Sequence, residues 1–222
     1  MTPETFLTFF CLLSIGLIVS VTLGENEAVT VDLDLVKRSK KGDRAAFNEL
    51  MRLYQKRVFN IMYRFCGNSD DAKDLTQDVF VKVFRSLPTL KEDHKFKSWI
   101  ITIASNTFKN RYHYLKRRGS GRTTSIDSPI RTEEGEISIE LPSSAPISDE
   151  LLHKQHIERI VQDKITLLKN DFKEVIVLRE IDGLSYEEIS EILKISIGTV
   201  KSRIFRAREE LKTLLSSVID KL

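Results

Sequence analysis

The sequence predicts an all-α protein of two small helical bundles joined by a flexible linker. Two observations carry this prediction. Apolar residues recur at intervals of three and four through most of residues 31–118 and 148–222, the spacing of one face of a helix. Between them, residues 119–147 lose this period and contain glycines, prolines and many serines and threonines, as linkers do. A chain of 222 residues is long enough for two domains with proper cores.

An uncharged apolar stretch, residues 6–23, precedes the predicted domains. As a helix it would span about 27 Å, barely enough to cross a bilayer. We consider three interpretations of residues 1–28. The first is a misassigned start, with translation beginning downstream at a non-AUG codon. The second is a membrane anchor, with the basic residues that follow it in the cytoplasm. The third is a secretory signal. A secretory signal fits poorly, because its first residues carry Glu4 and no cation. We therefore expect a cytoplasmic globular part, tethered to the membrane if the anchor is retained.

The first predicted domain, residues 31–118, contains four helices. A short amphipathic helix comes first, and Asp43 is placed to cap a long second helix. Gly67 suits the left-handed position that ends this second helix. The third helix stops at Pro88, and the fourth runs from about residue 97 to residue 116. Helices with such short connections predict a compact bundle.

Charge is distributed unevenly, although the net charge is only +3. Residues 30–118 hold 20 Lys and Arg against 10 Asp and Glu. From residue 95 to residue 118, asparagines and aromatic side chains lie among cations, with no acid. Cations neutralise phosphates, and exposed aromatic rings stack on unpaired bases. The fourth helix is thus a candidate nucleic-acid surface, the alternatives being a solubilising face and, for Trp99, a place in the core.

A second basic surface is predicted in residues 184–211. Ser185 and Glu188 have the spacing of a capping box, which begins a short helix. After a brief break in the period, Ser196 can cap a second helix whose outer face shows cations, Ser202 and Phe205. This pattern is typical of a helix-turn-helix that reads duplex DNA, the alternative being an ordinary helical hairpin.

The remaining helices of the second domain precede this motif. One runs from Ser148 or Asp149 to about residue 168, and the next is capped by Asn170 or Asp171.

The residue types present argue against catalysis and against a bound metal. Two cysteines exclude a disulfide framework and a four-thiolate zinc site. The sequence shows no glycine-rich phosphate loop and no convincing pair of nucleophile and base. We predict no enzymatic activity, no cofactor and no metal.

The motifs together resemble the sigma-70 superfamily of RNA polymerase sigma factors, in its extracytoplasmic-function (group 4, sigma-E-like) branch. KKGDRAAFNELMRLYQKRVFNIMYR is similar to the start of sigma region 2, and DAKDLTQDVFVKVF to the polymerase-binding motif. FKSWIITIASNTFKNRYHYLKRR is similar to the segment that melts and reads the −10 promoter element. LREIDGLSYEEISEILKISIGTVKSRIFRAREEL is similar to the region 4 helix-turn-helix that reads the −35 element. Residues 1–28 have no counterpart in the family pattern.

The resemblance implies three sets of functional residues. The implied contacts with the polymerase core are Asp71, Asp74, Leu75, Gln77, Asp78, Phe80, Val81 and Phe84. The implied contacts with the −10 element are Trp99, Asn106, Lys109, Asn110, Arg111, Tyr114 and Arg117. The implied contacts with the −35 element are Ser185, Tyr186, Thr199, Lys201, Ser202, Arg203, Phe205, Arg206 and Arg208.

The resemblance also implies partners and a mode of action. A sigma factor binds the clamp and flap of core RNA polymerase and opens promoter DNA by trapping unpaired bases, without ATP hydrolysis. A separate anti-sigma factor is implied as well. Membrane contact is expected only if residues 6–23 are translated and retained. The alternative is a stand-alone helix-turn-helix regulator, which would bind duplex DNA tightly without polymerase.

Overall fold

The computed structural model describes residues 25–118 and 149–219, and every regular element in these two stretches is helical. Side chains are described for residues 33–118 and 156–216. We call residues 25–118 the N-terminal half and residues 149–219 the C-terminal half. The prediction of an all-α fold is confirmed.

The N-terminal half contains the helices α1 (Glu25–Lys40), α2 (Arg44–Cys66), α3 (Ser69–Ser86) and α4 (Phe96–Arg117). Two short 3-10 turns, Leu87–Thr89 and Asp93–Lys95, connect α3 to α4. The C-terminal half contains α5 (Asp149–Leu167), α6 (Asn170–Ile176), α7 (Tyr186–Leu193) and α8 (Ile197–Ile219). A π-helical turn, Val177–Ile181, continues α6.

The ends of α2 lie where the sequence predicts them. The side chain of Asp43 accepts a hydrogen bond from the amide of Ala46 and so caps the first turn. Gly67 has a φ of 75° and ends the helix in the left-handed conformation. A β-carbon at this position would therefore strain the backbone.

Two predicted helix starts are wrong. The first helix begins at Glu25 and not near residue 31. Neither Asn170 nor Asp171 caps α6, because Asn170 is already helical and Lys169 is the cap residue. A lysine side chain has no acceptor atom and forms no cap hydrogen bond there.

The two halves pack against each other and share one continuous apolar core. Helix α2 contacts α5 and the π-helical turn, and α4 contacts α7. The amide of Gln162 in α5 donates to the carbonyls of Tyr63 and Arg64 at 3.3 Å. A β-carbon added to Gly67 would overlap the methyl group of Thr166. The sequence predicts two bundles and a linker but not this contact, and residues 119–147 lie outside the described residues.

Within the part of the chain that the structure describes, no helix combines the length and apolar character needed to span a membrane. The predictions for residues 6–23 concern residues outside that part.

Candidate functional surfaces

Helix α3 presents an acidic face with an apolar edge. Its exposed polar members are Asp71, Asp74, Gln77 and Asp78. Val81 and Phe84 follow on the surface with 44% and 58% exposure, and the Phe84 ring packs edge-on against Phe47. Together the acids and these two apolar side chains form the candidate contact surface of α3.

Leu75 and Phe80 do not belong to this surface. They are 4% and 7% exposed and form part of the core under α3, as do Val79 and Val83 on the same helix. The direct polymerase contact implied for these two residues is therefore not supported, because their side chains hold α3 to the core.

A cavity of about 220 Å³ separates α3 from the C-terminal half. Asp71, Asp74 and Asp78 of α3 line it, as do Asn170 and Lys173 of the C-terminal half. The ammonium group of Lys173 donates to the carbonyls of Phe65 (3.4 Å) and Thr166 (3.0 Å), and burial lowers its pKa. The C-terminal half therefore forms one wall beside the acidic face of α3.

Cys66 lies half-buried in the same cavity. Burial, followed by the nearby carboxylate of Asp71, raises the pKa of its thiol to about 12. The thiol is therefore protonated at neutral pH. Within the described residues, no three His, Cys, Asp or Glu side chains converge as a metal site requires.

Helix α4 exposes most of the residues implied for the −10 element. Asn106, Asn110, Arg111 and Arg117 lie on the surface. Tyr114 is half-buried, and the guanidinium of Arg118 lies 4.5 Å from the centre of its ring. These groups offer cations and hydrogen-bonding amides along one helix.

Trp99, near the start of α4, is half-buried and packs at a tilt against Phe96, with ring centres 5.9 Å apart. Part of its ring belongs to the core, and part stays exposed.

Lys109 is the exception among the cations of α4. Its ammonium group lies 3.1 Å from a carboxylate oxygen of Glu174, a residue of α6 whose side chain is only 2% exposed. Ser105 also reaches this carboxylate, at 3.5 Å. Burial raises the pKa of Glu174, although Lys109 acts to lower it. The sequence shows no acid at helical spacing from Lys109, and the structure supplies one from the other half.

Two further charged contacts join the halves. The Nη2 atom of Arg57 in α2 donates to Asp182 at 2.9 Å, and its Nε lies 2.7 Å from the other carboxylate oxygen. Asp182 is 6% exposed, and this burial raises its pKa against the opposing effect of Arg57. Near the surface, Lys95 lies 3.8 Å from Glu191 in α7.

The predicted helix-turn-helix is formed by α7 and α8. The capping box is present: the amide of Ser185 donates to the Glu188 carboxylate at 2.7 Å, and the amide of Glu188 donates to the Ser185 hydroxyl at 3.1 Å. Lys194, with a φ of 57°, turns the chain. The Ser196 hydroxyl accepts from the amide of Thr199 at 3.1 Å and caps α8, as predicted.

The two faces of α8 are those that the sequence predicts. Val200, Ile204, Ala207 and Leu211 are buried. Lys201, Ser202, Phe205 and Arg206 are exposed, with Phe205 at 67%. An exposed aromatic ring among cations on a capped helix is suited to contact with duplex DNA.

Some residues implied for the −35 element have partners inside the C-terminal half. Arg203 pairs with Asp171 at 2.7 Å, and the Nε atom of Arg208 donates to Glu180 at 3.1 Å. Tyr186 is half-buried under the guanidinium of Arg179, and the Ser185 hydroxyl is used by the capping box. In this structure these side chains support the motif.

Comparison with known proteins identifies both halves. Residues 50–118 match the family model "Sigma-70 region 2", and residues 158–211 match "Sigma-70, region 4". The chain is 36% identical over 196 residues to the RNA polymerase sigma-H factor of Pseudomonas aeruginosa, with 85% of this chain and 95% of the relative covered. It is 39% identical over 189 residues to the ECF RNA polymerase sigma-E factor of Escherichia coli K12, covering 85% of this chain and 96% of that protein.

Among solved structures, the fold is similar to that of the sigma factor RpoE from Bartonella quintana, crystallised with the anti-sigma factor NepR. The TM-score is 0.57 at 24% identity, and 77% of this chain and 96% of that chain are covered. This similarity shows the shared fold.

Proposed function

The chain belongs to the sigma-70 family, in its extracytoplasmic-function branch, and on that premise we propose that its three exposed faces divide the steps of transcription initiation. As an RNA polymerase sigma factor it is a non-enzymatic initiation subunit. It binds core polymerase, recognises the −35 and −10 promoter elements and promotes DNA opening. The comparisons do not support the alternative of a stand-alone regulator.

We assign polymerase binding to α3. Asp74, Gln77 and Asp78 form an exposed acidic and polar face in a region with a surplus of cations. Such a face complements a basic partner, for which the clamp of the largest polymerase subunit is the candidate. Val81 and Phe84 supply apolar side chains at its edge, which can anchor the contact once they are buried.

We assign the −10 element to α4. Asn106, Asn110 and Arg111 offer amide and guanidinium groups for the edges and phosphates of an unpaired strand. The exposed part of Trp99 can stack on a base that leaves the duplex. The free energy of binding these unpaired bases then promotes opening of the promoter DNA.

We assign the −35 element to α8, and the outer face of this helix is the observation that carries the proposal. Lys201, Ser202, Phe205 and Arg206 share one exposed face, while the opposite face is buried. A helix held in this way can enter the major groove, where Arg contacts guanine and an aromatic ring contacts the thymine methyl group.

The proposal extends to partners and location. The region 2 domain over residues 31–118 and the region 4 domain over residues 148–222 would act as two DNA-reading units linked by residues 119–147. Region 4 would also contact the polymerase flap. We infer an anti-sigma factor that covers these faces and a site of action in the cytoplasm, where core polymerase and promoter DNA are found.

A reconstituted run-off assay tests this proposal. The full chain added to core polymerase should direct transcription from its promoter. Asp74→Ala/Asp78→Ala should lower the affinity for core at least about tenfold, since each acid lost from a complementary face costs binding energy. The double change Asp163→Ala/Glu209→Ala, which removes exposed acids outside α3, is the matched control.

Two results would contradict the proposal. Unchanged core affinity of Asp74→Ala/Asp78→Ala would overturn the docking role of α3. A tight, sequence-specific complex with duplex DNA and no polymerase-dependent transcript would favour a stand-alone regulator.

A further inference from the structure

The π-helical turn Val177–Ile181 lies directly before the helix-turn-helix and contacts both of its helices. The amide of Asp182 donates to the carbonyl of Val177 at 3.1 Å, a bond between residues five apart, whereas an α-helical bond joins residues four apart. Turns of this kind are rare and occur often at functional sites. Its polar side chains, Arg179 and Glu180, are therefore candidates for a role in the motif that follows.

Arg179 holds the start of α7. Its Nη1 atom donates to the carbonyl of Leu184 at 2.8 Å, immediately before the capping box. Its guanidinium also lies 4.9 Å from the centre of the ring of Tyr186, the first residue of α7. A hydrogen bond and a cation–π contact on either side of the cap residue thus tie this end of α7 to the π-helical turn.

Glu180, the next residue along the chain, holds α8. The Nε atom of Arg208 donates to one of its carboxylate oxygens at 3.1 Å, and Nη2 of the same arginine donates to that oxygen as well. The side chain of Glu180 is only 14% exposed, so water reaches little of the carboxylate. If Arg208 turned away to a DNA phosphate, it would leave this carboxylate without its cation, and such an uncompensated charge is costly.

The second paired arginine of α8 is held differently. Arg203 lies 2.7 Å from a carboxylate oxygen of Asp171, whose side chain is 63% exposed. Water solvates an exposed acid when its partner leaves, and exposed pairs of this kind contribute little to stability. Arg203 can therefore exchange Asp171 for a phosphate at low cost, whereas Arg208 cannot leave Glu180 in this way.

We propose that Arg208 is a positioning residue for recognition of the −35 element: through Glu180 it fixes α8 on the π-helical turn, and it donates to no phosphate. This inference rests on the role assigned to α8 under the proposed function. Arg179 fixes α7 on the same turn, so the turn sets the direction in which the exposed face of α8 points. Arg208 then contributes to specificity indirectly, because small rotations of a reading helix change which base edges its side chains reach.

Variants of Glu180 separate this role from a contact with phosphate, because the two roles predict opposite changes. Glu180→Met removes the acceptor with little change in side-chain length. If Arg208 bound a phosphate, this variant would free its guanidinium and remove a negative charge near DNA, and promoter affinity would rise. If the pair positions α8, the variant should lower discrimination about tenfold. Discrimination here is the ratio of the affinities of the reconstituted holoenzyme for promoters with an intact and with a scrambled −35 element.

Further variants supply the rescue and the control. Arg208→Met should lower discrimination about as much as Glu180→Met. Glu180→Met/Arg208→Met should recover most of it, since replacing both members of a buried pair by apolar residues is tolerated. Asp171→Met removes the exposed acid beside Arg203 and, as the matched control, should leave discrimination unchanged.

Salt dependence gives an independent measurement. The slope of the logarithm of promoter affinity against the logarithm of salt concentration should be the same for Arg208→Met and the wild type. Loss of a phosphate contact would instead reduce this slope by about 1. Discrimination compares two affinities of one sample, so an unfolded fraction cancels and a merely structural defect does not change it.

Four results would overturn the inference: a gain of promoter affinity or unchanged discrimination in Glu180→Met, no recovery in Glu180→Met/Arg208→Met, or a reduced salt slope in Arg208→Met. A wild-type holoenzyme that does not discriminate between the two promoters would refute the assignment of α8 itself. That result is distinct from a wild type that discriminates while Glu180→Met does so equally well, which would overturn only the role of Arg208.

Discussion

The two basic helices, α4 and α8, differ in how their cations are used within one molecule. On α4, Lys109 is drawn into the contact between the halves by Glu174. On α8, Arg203 is paired inside its own half, whereas Lys201 and Arg206 stay exposed. The α8 face can therefore meet DNA without a change of shape, whereas Lys109 on α4 already has an anionic partner. A basic helix is a binding surface only as far as its cations lack partners.

The largest expected effect concerns α8, the helix whose cations Lys201 and Arg206 stay exposed. Arg206→Ala should lower transcription from a promoter that depends on its −35 element by about 10- to 100-fold, the cost of one good base contact. Arg203→Ala is the matched control and should have a smaller effect, because Asp171 already holds that guanidinium. Run-off assays with intact and scrambled −35 elements measure both. Equal losses would show that the DNA-facing side of α8 is misassigned.

Gly67→Ala tests the contact between the halves. Gly67 and Gly42 both have positive φ, at 75° and 91°, so alanine costs about 1–2 kcal/mol of backbone strain at either position. At Gly67 the new β-carbon also overlaps Thr166 in α5, whereas nothing lies within 4 Å at Gly42. Urea unfolding should show a larger loss for Gly67→Ala than for Gly42→Ala. Identical losses would argue that α5 does not pack on the end of α2.

A smaller effect is expected at the start of α7, the first helix of the helix-turn-helix. Ser185→Ala should lower the free energy of unfolding by about 1 kcal/mol, because the capping box loses its acceptor. Ser185→Asp keeps an acceptor at this position and should stay close to wild type. If Ser185→Ala lowers transcription and leaves the thermal midpoint unchanged, the hydroxyl contacts DNA and its role in the cap is minor.

The smallest effect is a pH dependence of stability that arises from Glu174 at the contact between the halves. Burial raises the pKa of Glu174 above its ordinary value of 4.5. A carboxyl with a raised folded pKa contributes stability that is complete below its unfolded pKa and is lost as the pH rises through the folded pKa. The unfolding free energy of Glu174→Gln should therefore increase relative to wild type as the pH rises from about 4.5. A difference that does not vary with pH would mean that Glu174 is not buried in solution.

Features fixed by near neighbours were predictable from the sequence. The cap at Asp43, the left-handed Gly67 and the Ser185–Glu188 box each depend on residues within one helical turn. The buried stripe of α8 follows from its period in the same way. These local features were sufficient to predict both the all-α fold class and the helix-turn-helix.

Contacts between distant segments were not predictable. Nothing near Glu174 in the sequence indicates burial, because a glutamate beside Lys173 resembles an ordinary solvent-exposed position. Its partners Ser105 and Lys109 lie in the other half, and Ser105 is 69 residues away. The burial of Phe80 was not predictable for the same reason, because its exposure depends on how α3 is rotated against α2. Periodicity shows that a face is apolar but does not show what covers it.

Cys66 gives the cavity beside α3 a practical consequence. Its thiol has a pKa of about 12, so almost none of it is thiolate at neutral pH, and thiolate is the nucleophile that reacts with alkylating reagents. Asn170 and Lys173, which also line the cavity, belong to the C-terminal half. The rate of alkylation at this native side chain therefore reports whether the C-terminal half covers the cavity in solution, with no introduced label.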